Sequence, residues 1–152
     1  MTQFEKCLQE QSFRKRKTVP KSAFLRSNER RGSLKNRKFI EERPKIVNEK
    51  CRVGDWETYT IIGKNHKQAI VTLTERKSRL SLMHKVERKQ ASQVSSVIVK
   101  MLYRIQKYVH TITSDNGKEF AYHEEIAKNL DAGFYFAHPY SSYERGVNEN
   151  TN

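Results

Sequence analysis

Apolar and polar positions alternate from Arg52 to Ile62, where Trp56, Thr58, Thr60 and Ile62 interleave with Asp55, Glu57, Tyr59 and Ile61. A period of two places these sets on opposite faces of a strand. Turn residues Gly63-Lys64-Asn65-His66 follow, then a second apolar run, Gln68 to Thr74, and a third strand over Arg79 to Val86. Short links between the three predict an antiparallel meander. The period then changes. Val94, Val97, Ile98, Met101, Leu102 and Ile105 recur at steps of three and four, predicting a helix from Ala91 to Lys107. His110 to Ser114 reads as a fourth strand, and Asn116-Gly117 turns the chain. Glu119 to Leu130 reads as a helix closed by Gly133, Phe134 to Ala137 as a fifth strand, and a further helix begins near Val147. The order is β-β-β-α-β-α-β, an α/β mixed sheet.

Before this block the pattern fades. From Phe13 to Arg43 basic clusters alternate with polar residues, punctuated by Pro20 and Pro44, and apolar residues are too sparse to pack. The division predicted is a basic, poorly folded arm over residues 1–47 and a core over 48–152.

Charge sharpens that division. Of the net +13, residues 1–52 hold 16 Lys and Arg against 6 acids, while residues 53–152 hold 14 against 11. A basic arm on a nearly balanced core points to an anionic polymer, with Arg14, Lys15, Arg16, Lys17, Arg30 and Arg31 as its densest contacts. DNA or RNA fits better than a membrane, because the arm has no amphipathic face and no apolar run approaches a span of roughly 18 residues. The first residues lack the apolar stretch of a secretory signal, and the expected location is cytoplasmic, with the nucleoid. Cys7 and Cys51 lack zinc-type pairing and read as free thiols. The five histidines share no ligand spacing, and neither a nucleophilic triad nor a glycine-rich phosphate loop is present.

Asp115-Asn116-Gly117 closes the fourth strand, and thirty-three residues separate Asp115 from Glu149 in the tail His138 to Asn152. With Gly54-Asp55-Trp56-Glu57 and Thr60-Ile61-Ile62-Gly63, these words resemble bacterial insertion-sequence transposases of the IS30 family, over roughly Leu25 to Asn152. The resemblance implies an RNase H-like, retroviral-integrase-like core whose element order agrees with the pattern above. It also implies a D-D-E site in which carboxylates hold Mg²⁺ (or Mn²⁺) over a phosphodiester for DNA strand cleavage and transfer. Asp115 matches the second acid and Glu149 the third, as catalytic residues and metal ligands. The implied partners are double-stranded DNA, both element ends and target, and a second copy or a full-length transposase.

Two departures stand out. Where the family writes its first acid, this chain has Tyr59, a poor Mg²⁺ ligand. Glu57 shares its face about 7 Å away and Asp55 lies about 13 Å away; both read as partly exposed lining or strand-edge residues. The chain also stops three residues after Glu149, so the core reads as incomplete at its carboxyl end, and the family's end-recognition helix-turn-helix region has no counterpart. Two functions remain open: a transposition protein, impaired in this copy, or a non-catalytic DNA-binding remnant that interferes with intact transposase. Tyr143 stands where the family usually has tryptophan. The loop Tyr140 to Arg145 suits DNA contacts or loop packing, with Arg145 a DNA-binding candidate. His138 reads as a loop histidine, Trp56 as core, and Lys64, Lys67, Arg76, Lys77 and Arg79 as solvated turn charges.

Overall fold

The alternating segment becomes β1 (Asp55–Ile62), and it lies at the centre of a five-stranded sheet. This computed structural model describes residues 34–64 and 68–139. On one side β2 (Ala69–Glu75) and β3 (Ser81–Val86) extend the predicted antiparallel meander. On the other, β4 (Thr111–Ser114) and β5 (Gly133–Phe136) run parallel to β1 and to each other, giving the order β3-β2-β1-β4-β5. Parallel neighbours need long crossovers, and helical segments provide both. The RNase H-like mixed sheet read from the sequence is the observed fold.

One face of the sheet carries the core. α2 (Ala91–Leu102) buries Val94, Ile98 and Leu102, and α3 (His123–Leu130) buries Ile126 and Leu130. They pack with Trp56, Val71, Leu73, Ile112, Phe120, Phe134 and Phe136 into one cluster. Trp56 is core, as its alternation required. The first helix is shorter than its periodicity implied: after Leu102 the chain tightens into a 3-10 segment, Tyr103–Tyr108, kinked at Ile105. The second starts later, because Lys118–Phe120 forms a separate 3-10 turn that sends Glu119 and Phe120 inward. It ends at Leu130 as expected, but with a different residue closing it. Asp131 takes the left-handed conformation (φ 49°) that was assigned to Gly133, and Gly133 instead opens β5, donating to His110 O. Asp tolerates that conformation better than most side chains, so the glycine is not needed there.

The opposite face is covered by residues placed in the arm by their composition. Residues 34–47 fall in the compact unit Leu34–Asn152, which begins before the boundary expected after residue 47. Phe39 bridges to Phe136 in parallel fashion, and Phe136 N–H donates to Lys38 O at 2.9 Å. A 3-10 turn, Ile40–Glu42, leads to the short helix α1 (Ile46–Glu49), whose Val47 is wholly buried. Apolar residues are few here, which hid the segment; its attachment is largely polar.

Gly54 joins the elements. It sits at φ 108°, and a Cβ there would lie 1.9 Å from Tyr108 O, so only glycine fits. Its N–H donates to Glu75 Oε1, and its carbonyl accepts from His110 N–H, locking the start of β1 to the end of β2 and the entry of β4. Burial pushes the Glu75 carboxyl up, but hydrogen bonds from Ser78, Gly54 and Lys77 outweigh it and leave it below the usual range. Cys51 is exposed and free, and Cys7 lies outside the described residues. Among the described residues no helix is long and apolar enough to cross a membrane.

Candidate active site

The register of β1 against β4 decides the geometry. Asp55 pairs with Thr111, Trp56 with Ile112 and Glu57 with Thr113. The pairing stops there: Tyr59 lies two residues further along β1, and Asp115 immediately follows the end of the neighbouring β4. With a period of two, Tyr59 follows Glu57 on one face of β1. β4 ends at Ser114, so beyond Glu57 the central strand is less covered, and Tyr59 is 38 % exposed.

Asp115 begins a tightly held turn. Its Oδ1 accepts the Gly117 N–H at 2.9 Å, and Ser114 Oγ donates to its carbonyl at 3.0 Å. Asn116 fastens the turn on two sides, accepting from Arg37 Nη1 and donating to Ala137 O. A Cβ on Gly117 would lie 2.4–2.6 Å from the Glu119 carboxylate, so any larger residue must displace that side chain. Glu119 in turn accepts from Thr60 Oγ1 at 2.6 Å and pairs with Lys89 Nζ at 2.8 Å. The sequence reading missed Glu119, Thr60, Lys89 and Arg37. The available signal was an acid wedged between Gly117 and Phe120, where a helix start would have left it exposed.

The acids before Tyr59 are neither edge nor lining residues. β1 is covered on both faces, and Asp55 and Glu57 are 1 % and 0 % exposed. Each is therefore charge-paired. Asp55 accepts from Thr111 Oγ1 (2.7 Å) and from Arg52 Nε (2.9 Å to Oδ2), and the bond from Arg52 holds that guanidinium above its usual value. Glu57 binds Arg76 Nη1, while Arg76 Nε donates to Val47 O at 3.1 Å. Arg76, expected as a solvated turn charge, is thus buried, because the turn folds it back across the sheet to α1. Arg43 joins this layer, donating to Thr113 Oγ1 at 2.8 Å and to Asn48.

His138 Nε2 lies 2.9 Å from Glu41 Oε1, and its ring stacks on Phe39 at 5.5 Å, so it fastens the loop after β5 to the turn before α1. Arg14, Lys15, Arg16, Lys17, Arg30, Arg31, His66, Lys67, the loop from Tyr140 to Arg145, Glu149 and the helix expected near Val147 lie outside the described residues.

Among the described residues no three His, Cys, Asp or Glu side chains cluster as a metal group needs. Mg²⁺ requires hard oxygen donors. Asp115, with one oxygen already engaged by Gly117, and a neutral phenol do not make such a set. Glu57 and Asp55 are committed to arginines.

No protein-family model matches the chain. The transposase for insertion sequence element IS4351 of Bacteroides fragilis is 51 % identical over 125 residues, covering 82 % of this chain and 38 % of that protein. Transposase InsI for insertion sequence element IS30A of Escherichia coli is 32 % identical over 114 residues, covering 74 % of this chain and 30 % of that protein. The chain spans about a third of the length of the curated relatives it matches. Among solved structures, the catalytic core domain of BIV integrase aligns with a TM-score of 0.53 and 26 % identity, over 64 % of this chain and 63 % of that one. A sheet of integrase order, with the Asp-Asn-Gly turn beside the strand that begins Gly-Asp-Trp-Glu, accompanies that identity: the chain belongs to the insertion-sequence transposases that include the IS30 elements.

Proposed function

We propose that this chain is a DNA transposition protein whose ancestral chemistry is metal-dependent cleavage and transfer of DNA strands, and that this copy is impaired in it. The observation that carries the reading is the parallel pairing of β1 with β4, which brings Asp115, just past the end of β4, next to the strand that carries Tyr59. Two acids so placed, with Glu149 as the third, would hold Mg²⁺ or Mn²⁺, and the ion would supply charge stabilisation to the phosphodiester oxygens. Tyr59 removes one of them. Losing several kcal/mol of such stabilisation slows a reaction on the order of a thousandfold or more. Glu57 does not fill the gap, since it neutralises buried Arg76.

That commitment of Glu57 also favours the second reading, a non-catalytic DNA-binding remnant that pairs with an intact transposase. In both readings Arg14, Lys15, Arg16, Lys17, Arg30, Arg31 and Arg145 contact double-stranded DNA, and affinity falls steeply with salt.

A Mn²⁺ titration of the whole chain, followed by electron paramagnetic resonance, tests the first reading. Tyr59→Asp should bind Mn²⁺ at least about tenfold more tightly than the unchanged chain, and adding Asp115→Asn should abolish the gain. The unchanged chain should leave DNA carrying matching element ends intact. Robust metal-dependent cleavage by it, lost in Asp115→Asn, would overturn the proposal of impairment.

A further inference from the structure

The segment that carries the chain from α2 into β4 has a surface that the site at Asp115 does not use. Lys100, Tyr103, Arg104, Lys107 and Tyr108 are all exposed, while Leu102 among them and Val109 just after them are buried. All five lie on the exposed side of the segment, which is α-helical up to Leu102 and 3-10 beyond it. Tyr103 and Tyr108 are 66 % and 57 % exposed, high for large aromatic rings. Lys107 Nζ lies 4.8 Å from the Tyr108 ring centroid.

Along the chain the charge of this stretch is one-sided. From Arg88 to Ser114 the chain contains no Asp or Glu, and among the described residues no carboxylate forms an ion pair with Lys100, Arg104 or Lys107. A basic residue near the end of α2 is favourable against the helix dipole, which accounts for Lys100. It does not account for two more cations past that helix, nor for two tyrosines held out in water. Cations interleaved with exposed aromatic faces form the surface that tracks phosphates and stacks unpaired bases.

We infer that the stripe Lys100–Tyr103–Arg104–Lys107–Tyr108 binds single-stranded DNA, separately from the Asp115 site. The stripe leads into the amino end of β4 and Asp115 follows its carboxyl end, so about 13 Å of strand lies between the two. A strand seated there is held at the end of the sheet away from the Asp115 turn. The inference rests on DNA being the partner, as proposed above.

Binding of the full chain to single-stranded and duplex DNA across a salt series, with EDTA present, separates this inference from any cleavage. The triple variant Lys100→Gln, Arg104→Gln, Lys107→Gln should reduce the single-strand salt slope by about 2, since each phosphate contact contributes about 0.7. Tyr103→Ala with Tyr108→Ala should weaken single-strand binding about tenfold or more while leaving duplex affinity unchanged. Photo-crosslinking of the unsubstituted chain to an iodouracil strand should label Tyr103 or Tyr108. Binding of both DNA forms with unaltered slope and affinity in the variants, or crosslinks confined elsewhere, overturns the inference and leaves the proposed function standing. Failure of the unsubstituted chain to bind either DNA overturns both. A change of oligomeric state in the tyrosine variant, with single-strand affinity intact, identifies a protein interface instead and also overturns it.

Discussion

Replacing Glu57 with glutamine tests whether this acid is a structural counter-ion or a reserve metal ligand. Its side chain is wholly buried on the central strand, and its partner Arg76 is 4 % exposed. Removing one partner of a buried ion pair strands the other charge, at about 3–5 kcal/mol. Against a total stability of roughly 5–15 kcal/mol, that is a large loss. With a urea m-value of about 2 kcal/mol per molar, the midpoint should fall by roughly 2 M. The single tryptophan, Trp56, is buried next to Glu57 in the chain, so its fluorescence reports the transition directly. Glu57→Leu combined with Arg76→Met should recover most of the loss, because two apolar groups leave no stranded charge. Asp115→Asn should behave oppositely. Asparagine still accepts the Gly117 N–H, so the midpoint should move by less than about 0.5 M. Equal midpoints for Glu57→Gln and the parent would refute the reasoning, and so would a larger loss in Asp115→Asn than in Glu57→Gln.

Two further outcomes follow from the same geometry. Gly117→Ala should cost about 1–3 kcal/mol, because its Cβ meets a carboxylate that Thr60 and Lys89 hold in place, and adding Glu119→Ala should relieve part of it in urea titrations. An unaltered midpoint in the single variant would show that Glu119 gives way freely. Glu75 has a folded pKa below its unfolded value, so its stabilisation is present above the unfolded value of about 4.3 and is lost as pH falls through the lower folded one. The stability gap between the parent and Glu75→Gln should therefore narrow as urea midpoints are taken from pH 6 down towards pH 3; a constant gap counts against it.

The strand and helix periods, the element order and the family words around Asp115 were all legible in the sequence, because each depends on neighbours a few residues away. Alternation alone put Trp56 on the core face and Tyr59 with Glu57 on the other. The expectation that Tyr59 stands in place of the family's first acid also rests on sequence alone. What the sequence did not disclose depended on partners far along the chain. Glu57 and Asp55 look like ordinary strand acids until β4 and the segment before α1 cover both sides of β1, and only then must Arg76 and Arg52 neutralise them. Residues 34–47 looked like arm because their attachment is polar: Arg43 to Thr113, Arg37 to Asn116, His138 to Glu41. Hydrophobic periodicity is blind to such bonds, since a charged side chain registers as exposed until its buried partner is known. That β4 lies parallel against β1, Asp55 beside Thr111 and Glu57 beside Thr113, is a matter of register between strands far apart in the chain, and register is set by packing of the whole sheet.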